Sequence, residues 1–360
     1  MKVAAITLRG FKRFDELHVD VCNQLTGDVA EQFLILGDNG TGKTTLLQAV
    51  ALCLSLACWR TRRVDEFEWL GWVPGRFQQW GVPFVEIEVR FSAGELRATR
   101  EAARRWWHSN GTRNERFIEP ADAAVVRLRL EGERYSAGSQ EELHQFHGRW
   151  YAQQLLKTDA SARQLFEDLP GVFWFDQFRN LATPLVPQPD DERAAGTTYA
   201  TGVARLRQYL NRWVLDRAMK KRPPQPDFLS ELEAFYQRVF PGRSFAGPEP
   251  MYGVDAPTPV DYYFTLSDGH RTYDIEEMSA GEQSVFPLLY EFVRQRIRNS
   301  VVLIDEIDLN LHPPLAQSLL AALPAIGPNC QYLLTTHSEA VSAVVSPEQV
   351  QRLEGGRLCL

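Results

Sequence analysis

The spacing Gly37-x-x-x-x-Gly42-Lys43-Thr44 is one that grips phosphate. Glycines let the successive N–H groups of Gly37, Asp38, Asn39, Gly40, Thr41 and Gly42 point inward as a nest, and the helix that follows adds the partial positive charge of its N-terminus. Lys43 is placed to reach the β and γ phosphates of a nucleotide, Thr44 to offer its hydroxyl to magnesium, and Thr45 continues the same helix start. Two carboxylates, Asp305 and Glu306, close the apolar run of "SVVLIDEIDLNLHP". One of such a pair can hold Mg2+ while its neighbour orients or deprotonates a water, although the same pair also reads as a solvated turn. His337 follows "CQYLLTT" and can donate to a γ-phosphate, or serve as an ordinary structural histidine. In "EEMSAGEQSVFPLLYEF", Ser279 and Gly281 sit where an apolar helix begins, so a hydroxyl and free N–H groups make a place for an anion. The same stretch also reads as a capping box, with Ser279 as N-cap and Glu282 three residues later.

These groups need elements to position them. Phe33 to Leu36 form an apolar strand that runs into the glycine loop, and the following helix carries Leu46, Leu47, Val50 and Leu54 on one face. Val301 to Ile304 are consecutive apolar residues, the pattern of a strand buried on both faces as in a parallel sheet, with Asp305 and Glu306 at its C-terminal end. The motifs therefore predict an α/β chain with ligand chemistry at the C-terminal edge of its sheet. Residues 1 to 60 combine two N-terminal strands with the loop-and-helix unit. Residues 61 to 200 read as an inserted β/α lobe, with strand patterns at "FVEIEVRFSA" and "AAVVRLRLEGE" and a helix near "EELHQFHGRWYAQQLL". In residues 201 to 278, "ARLRQYLNRWVLDRAMKK" and "DFLSELEAFYQRVF" predict a helical lobe broken at "RPPQPD". Residues 279 to 360 hold the Ser-x-Gly helix, the carboxylate strand, the His337 strand and a tail, "VQRLEGGRLCL", that reads as a closing hairpin.

Bulk properties exclude several classes. A 360-residue chain that is 44% hydrophobic supports a packed core, and its net charge of −7 rules out a polycation that coats nucleic acid by counterion release. The five cysteines form no CxxC pair, which suits buried thiols in a reducing cytoplasm better than a disulfide or zinc framework. "MKVAAITLRGFKRF" meets charge too soon for a signal peptide. "TLLQAVALCLSLACW" falls short of a membrane span and carries Gln48, so a cytoplasmic protein with no membrane partner is expected.

The ordered set Gly37 to Thr44, Ser279-Ala280-Gly281-Glu282-Gln283, Asp305-Glu306 and His337 resembles the ABC-type ATPase core. The soluble RecF/SMC/OLD-like branch, used in DNA repair and phage defence, is the most similar: "ITLRGFKRFDEL", "LNLHP" and "TTHS" match its wording. The resemblance covers roughly residues 1 to 60 and 270 to 345. It implies a P-loop NTPase of ABC-ATPase type, with a mixed or parallel sheet core, an N-terminal antiparallel β lobe and a helical lobe that carries the signature. It further implies that ATP is bound with Mg2+ and hydrolysed, that Glu306 and His337 are catalytic, and that Ser279 and Gly281 contact the γ-phosphate held by the P-loop of a second copy, giving a homodimer on ATP. The family also carries a glutamine that contacts magnesium and the attacking water. Gln177 in "GVFWFDQFRNLATP" is the candidate for that catalytic and metal-binding place, with Gln78 and Gln79 as competitors. Met278, Ala280 and Glu282 depart from the usual signature wording, which puts membership among transporters in doubt.

Long heptad arms, as in SMC relatives, are missing from the sequence. Roughly twenty residues follow the helix after His337, where OLD relatives place a nuclease. The resemblance thus implies an ATPase head whose nuclease or other effector is a separate partner. Basic and aromatic residues interleave at Arg60, Arg62, Arg63, at Arg100, Arg104, Arg105, Trp106, Trp107, Arg113, Arg116, and at Lys220, Lys221, Arg222, as in DNA-tracking surfaces or simply solvated faces. His144 and His147 would need a third ligand to bind a metal. Three readings stay open: an ATPase acting on DNA, an ATP-gated sensor with no direct DNA contact, and a transporter's nucleotide-binding subunit.

Overall fold

Val301–Ile304 is buried on both faces, as a central parallel strand requires, and its neighbours on either side are parallel to it. The computed structural model describes residues 1–23, 26–59, 63–67, 72–79, 81–110, 117–177, 199–219, 227–255 and 261–354. In chain order the elements are β1 (Lys2–Phe11), β2 (Phe14–Asp20), β3 (Gln32–Leu36), α1 (Lys43–Cys58), β4 (Phe84–Arg90), α2 (Ala93–Asn110), β5 (Val125–Glu131), β6 (Arg134–Ser136), α3 (Gln140–His144), α4 (Gly148–Leu156) and β7 (Val172–Phe175). They continue with α5 (Tyr199–Ala218), α6 (Phe228–Val239), β8 (Ser244–Pro250), β9 (Tyr262–Ser267), β10 (Thr272–Asp274), α7 (Ala280–Arg294), β11 (Val301–Ile304), α8 (Pro313–Ile326), β12 (Gln331–Thr336), α9 (Glu339–Ser342) and β13 (Val350–Arg352). No helix among the described residues is long and apolar enough to cross a membrane.

The chain divides into two units, the first made of Met1–Phe175, Ile297–Ile307 and Gly327–Leu360. It holds a parallel sheet of order β13-β3-β12-β11-β7 and an antiparallel sheet of order β2-β1-β4-β5-β6. Strands β4 and β5 alternate, turning Val85, Ile87, Val89, Val126, Leu128 and Leu130 inward. Their outward positions carry cross-strand ion pairs, Arg127–Glu88 and Arg129–Glu86, between residues directly opposite in register. Helix α1 packs against strands of both sheets and is buried from Leu46 to Ala57. A helix apolar all round needs apolar surface on every side, and two sheets supply it.

The second unit, Asp176–Arg296 with Asp308–Ile326, combines α5, α6, α7 and α8 with the antiparallel sheet β10-β9-β8. Its core includes Leu229, Leu232, Tyr236, Val239, Phe264, Leu266 and Phe286. The signature helix α7 therefore lies in a lobe that is α/β rather than purely helical.

Two elements are not evident from the sequence pattern. Helix α2 occupies "AGELRATREAARRWWHSN", which the sequence shows as a basic and aromatic stretch, and buries Ala102 and Ala103 against Tyr151, Ala152 and Leu169. Strand β8 lies in "SFAGPEP", whose prolines and glycine argue against a strand; it is tolerated because β8 is an edge. Of the expected tail hairpin, β13 is present and residues 355–360 lie outside the described residues.

Burial accounts for two of the five thiols, while Cys22 and Cys58 are half-buried and Cys359 lies outside the described residues. Cys53 and Cys330 are buried in the first unit, and desolvation pushes the former up to about 12 and the latter up to about 11. A raised thiol pKa leaves almost no thiolate at pH 8, so both should resist iodoacetamide in the native protein and react in denaturant. Mass spectrometry after native labelling checks this, and rapid labelling of either thiol contradicts the packing.

Candidate nucleotide-binding site

The glycine loop follows β3 directly and ends in α1, whose cap residue Gly42 has a left-handed backbone, φ 103°, and makes no side-chain cap. The first N–H groups of α1 are thus left for an external acceptor. An ideal Cβ on Gly42 would lie 2.6 Å from both Arg13 Cδ and Phe14 Cζ, so both backbone angle and space demand glycine there. Lys43 Nζ donates to the carbonyls of Gly37 and Asp38, at 2.7 and 3.0 Å, which folds its side chain back along the loop. Thr41 braces the turn by donating to Asp38 O at 2.9 Å. Asp38, Asn39 and Gly40 are exposed, and Thr45 is half-buried in the first turn of α1.

Strand order decides what reaches this loop. β12 lies between β3 and β11, so the ends of the three strands share one edge of the sheet. Thr44 donates to Asp305 Oδ2 at 2.8 Å, joining the loop to the carboxylate strand. Thr335, near the end of β12, donates to Asp305 Oδ1 at 2.6 Å, so each oxygen of this fully buried carboxylate receives a hydroxyl. The same Thr335 Oγ1 accepts from Glu306 N at 2.7 Å. Glu306 itself has φ 48°, a left-handed conformation that costs a non-glycine residue about 1 to 2 kcal/mol and persists only where surroundings enforce it. Here Thr335 enforces it twice, since Ile307 N also donates to Thr335 O at 2.9 Å.

Sequence reasoning missed Thr335. The signal was available: a hydroxyl at the end of a strand buried along its whole length needs a partner, and the polar group facing it is Asp305.

His337 is exposed and directly follows β12. Gln177 lies in a half-buried turn, two residues beyond the end of β7. Its competitors are on an exposed turn, where Gln78 donates to Glu133 at 3.3 Å and Gln79 accepts from Arg76 at 3.0 Å. Only Gln177 among the three follows a strand of the parallel sheet.

Within the second unit, the signature residues form the capping box that their spacing allows. Ser279 Oγ accepts from Glu282 N at 3.3 Å, while Ser279 N and Oγ donate to Glu282 Oε2 at 2.9 and 2.7 Å. Gly281 has a packing reason as well: a Cβ there would lie 3.2 Å from Asn310 O and 3.3 Å from Leu311 Cδ2. Glu282 also accepts from Tyr236 at 2.5 Å and Tyr273 at 2.6 Å. Burial pushes its pKa up, but the hydrogen bonds from Tyr236, Tyr273 and Ser279 outweigh that and hold it below the ordinary value. Glu282→Ala leaves both tyrosine hydroxyls and the Ser279 donors without their acceptor. A loss of about 3 kcal/mol in urea unfolding is expected, with Glu282→Gln losing less. Because the folded pKa is depressed, the wild-type contribution is present above the unfolded value and fades as pH falls through the folded one.

The basic and aromatic stretch on α2 is already partnered. Arg100 pairs with Asp122, Arg104 with Glu119 at 2.5 Å and Arg105 with Asp159 at 3.3 Å. Trp106 packs on Trp150 at 5.2 Å and Trp107 on Phe117 at 5.4 Å between ring centroids, which makes both part of a local aromatic cluster. Arg63 pairs with Asp65 at 3.2 Å, whereas Arg60, Arg62, Arg113, Arg116, Lys220, Lys221 and Arg222 lie outside the described residues. His144 is buried against Tyr151, its Nδ1 2.9 Å from that hydroxyl, and no group of three metal-capable side chains occurs among the described residues.

A family model described as "AAA domain, putative AbiEii toxin, Type IV TA system" matches residues 33–343, the span from β3 to beyond α9. The chain belongs to this family. Among curated proteins it is similar to "Retron Vc95 probable ATPase" of Vibrio cholerae serotype O1 biovar El Tor, 34% identical over 88 residues, which are 21% of this chain and 17% of that protein. It is also similar to "Retron Ec83 probable ATPase" of Escherichia coli, 33% identical over 92 residues, 22% of this chain and 17% of that one. The matched stretch thus spans 17% of either relative's length. Among solved structures, an Smc head bound to the C-winged helix domain of ScpA is 15% identical with a TM-score of 0.47, covering 95% of this chain and 91% of that one. The SMC head domain from Thermotoga maritima is 13% identical with a TM-score of 0.43, covering 95% and 92%.

Proposed function

We propose that this AAA-domain protein binds and hydrolyses ATP, closes as a homodimer around two nucleotides, and serves as the switch subunit of an anti-phage module with a separate effector. The observation that carries the reading is the 2.8 Å contact between Thr44 and Asp305, which joins the phosphate loop to the carboxylate strand. In this reading Lys43 leaves the Gly37 and Asp38 carbonyls for the phosphate oxygens, and the N–H groups at the start of α1 complete the cradle from Gly37 through Thr45. Thr44 and Asp305 offer hard oxygen donors of the kind Mg2+ takes, with Gln177 as a further ligand. When bound, that cation would offset the charge of the phosphates. Glu306, held at its unusual backbone angle, orients a water and accepts its proton; His337 donates to the γ-phosphate.

Ser279 and Gly281 supply the trans contact. The Ser279 hydroxyl donates to Glu282 within its own chain, so a phosphate from a second copy must compete for that proton or be held by the backbone N–H groups of the α7 start. Light scattering of Glu306→Gln with ATP and magnesium tests the trans role: a doubled mass is expected, and a monomer overturns it.

The carboxylate partners of Arg100, Arg104 and Arg105 favour a subunit without direct DNA contact over one that tracks DNA. The similarity to two retron ATPases supports the defence setting over repair or transport.

A further inference from the structure

The β1–β2 hairpin turns through Lys12 and Arg13, and its two residues have different fates. Lys12 adopts φ 53°, donates to Gln48 of α1 at 2.6 Å and lies 4.9 Å from the Trp72 ring centroid, so it anchors the turn against the helix that follows the glycine loop. Arg13 is thereby laid along the loop itself. Its Cδ sits 2.6 Å from where a Cβ of Gly42 would be, and its Nη1 is 3.8 Å from the equivalent point on Gly40. Arg13 is half-buried and has no ion-pair or hydrogen-bond partner among the described residues. Of the other arginines of the same sheet, Arg9, Arg90, Arg127 and Arg129 are each paired with a glutamate, while Arg134 is exposed on the edge strand. A half-buried arginine with unpaired donors beside a phosphate-binding loop offers its charge to an anion.

We propose that Arg13 binds the phosphate chain of the nucleotide held on the glycine loop of its own chain. The glycines at 40 and 42 then serve two purposes: they free the loop's N–H groups and they admit the arginine stem. This inference rests on the nucleotide reading above and adds to it a cation contributed by the antiparallel sheet.

The test compares Arg13→Met, which keeps an aliphatic stem over Gly42 without charge, with Arg13→Lys, which keeps both stem and charge. Calorimetric titration of the full chain with ATP and magnesium, beside thermal melts without nucleotide, reads the effect. Arg13→Met should weaken ATP binding about ten-fold at an unchanged melting temperature, as loss of a charge-assisted contact does, and Arg13→Lys should recover most of it. ATP affinity of Arg13→Met within two-fold of wild type overturns the proposal. So does a loss that lysine fails to recover, which would mark Arg13 as packing for Gly42. If Arg13→Met lowers the melting temperature, Arg13→Lys decides alone: near-wild-type affinity supports the charge and a matching loss rejects it. A folded wild-type chain that does not bind ATP at all removes the nucleotide reading, a failure distinct from normal binding by wild type and Arg13→Met alike.

Discussion

Lys43→Ala should lose ATP affinity by more than about a hundred-fold, beyond detection in an ordinary titration. The ammonium is the one flexible cation inside the loop, and charge-assisted hydrogen bonds to two phosphates are worth about 1.5 to 3 kcal/mol each. At 1.4 kcal/mol per factor of ten, two such bonds amount to roughly two to four orders of magnitude. The same Nζ holds the Gly37 and Asp38 carbonyls, so the variant should also melt slightly lower. That second effect separates it from a variant that is merely unfolded: a cooperative transition persists while ATP no longer raises its midpoint. ATP-dependent stabilisation of Lys43→Ala equal to wild type would mean that the glycine loop does not hold the triphosphate.

The second large effect is expected for Glu306→Gln, which keeps side-chain length and removes the proton acceptor. General-base contributions run to about 10² to 10⁴ in rate, so turnover should fall by that range while the ATP dissociation constant stays within a few-fold. The backbone should not suffer, because the hydrogen bonds that hold the left-handed residue are donated by the main-chain N–H groups of Glu306 and Ile307 to Thr335 and ignore the side chain. Blocked turnover leaves ATP in place, and the closed pair of chains should then accumulate. Phosphate release within three-fold of wild type would show that another group activates the water.

The chemistry was more legible than the scaffold. Gly37 to Thr44 and Asp305-Glu306 stand out because motifs of the phosphate-loop kind fix both residue type and spacing, and a doubly buried strand leaves the run Val301–Ile304. Strand order was not legible, since the pairing of β12 between β3 and β11 depends on contacts far apart in the chain. Thr335 stayed hidden for that reason: its role exists only once its strand has been placed. Helix α2 was obscured by its density of arginines, whose partners Asp122, Glu119 and Asp159 lie 15 or more residues away. At Ser279 the capping box and the anion site use one set of residues, so local pattern could not choose between them; the folded chain realises the box. The duty toward a second copy proposed above would involve groups that no single chain's periodicity encodes.

Thr335 has one proton to give. It gives that proton to Asp305 and receives another from the main chain of Glu306, so the three groups form a one-way line of dipoles pointing at the carboxylate. A cation settling on Asp305 would drain charge from the end of that line and slacken its grip on the twisted peptide at the other end. On the proposed reading, arrival of the metal would thereby be felt as a change of posture in the neighbouring glutamate, and one hydroxyl would make the site's readiness conditional on its being loaded.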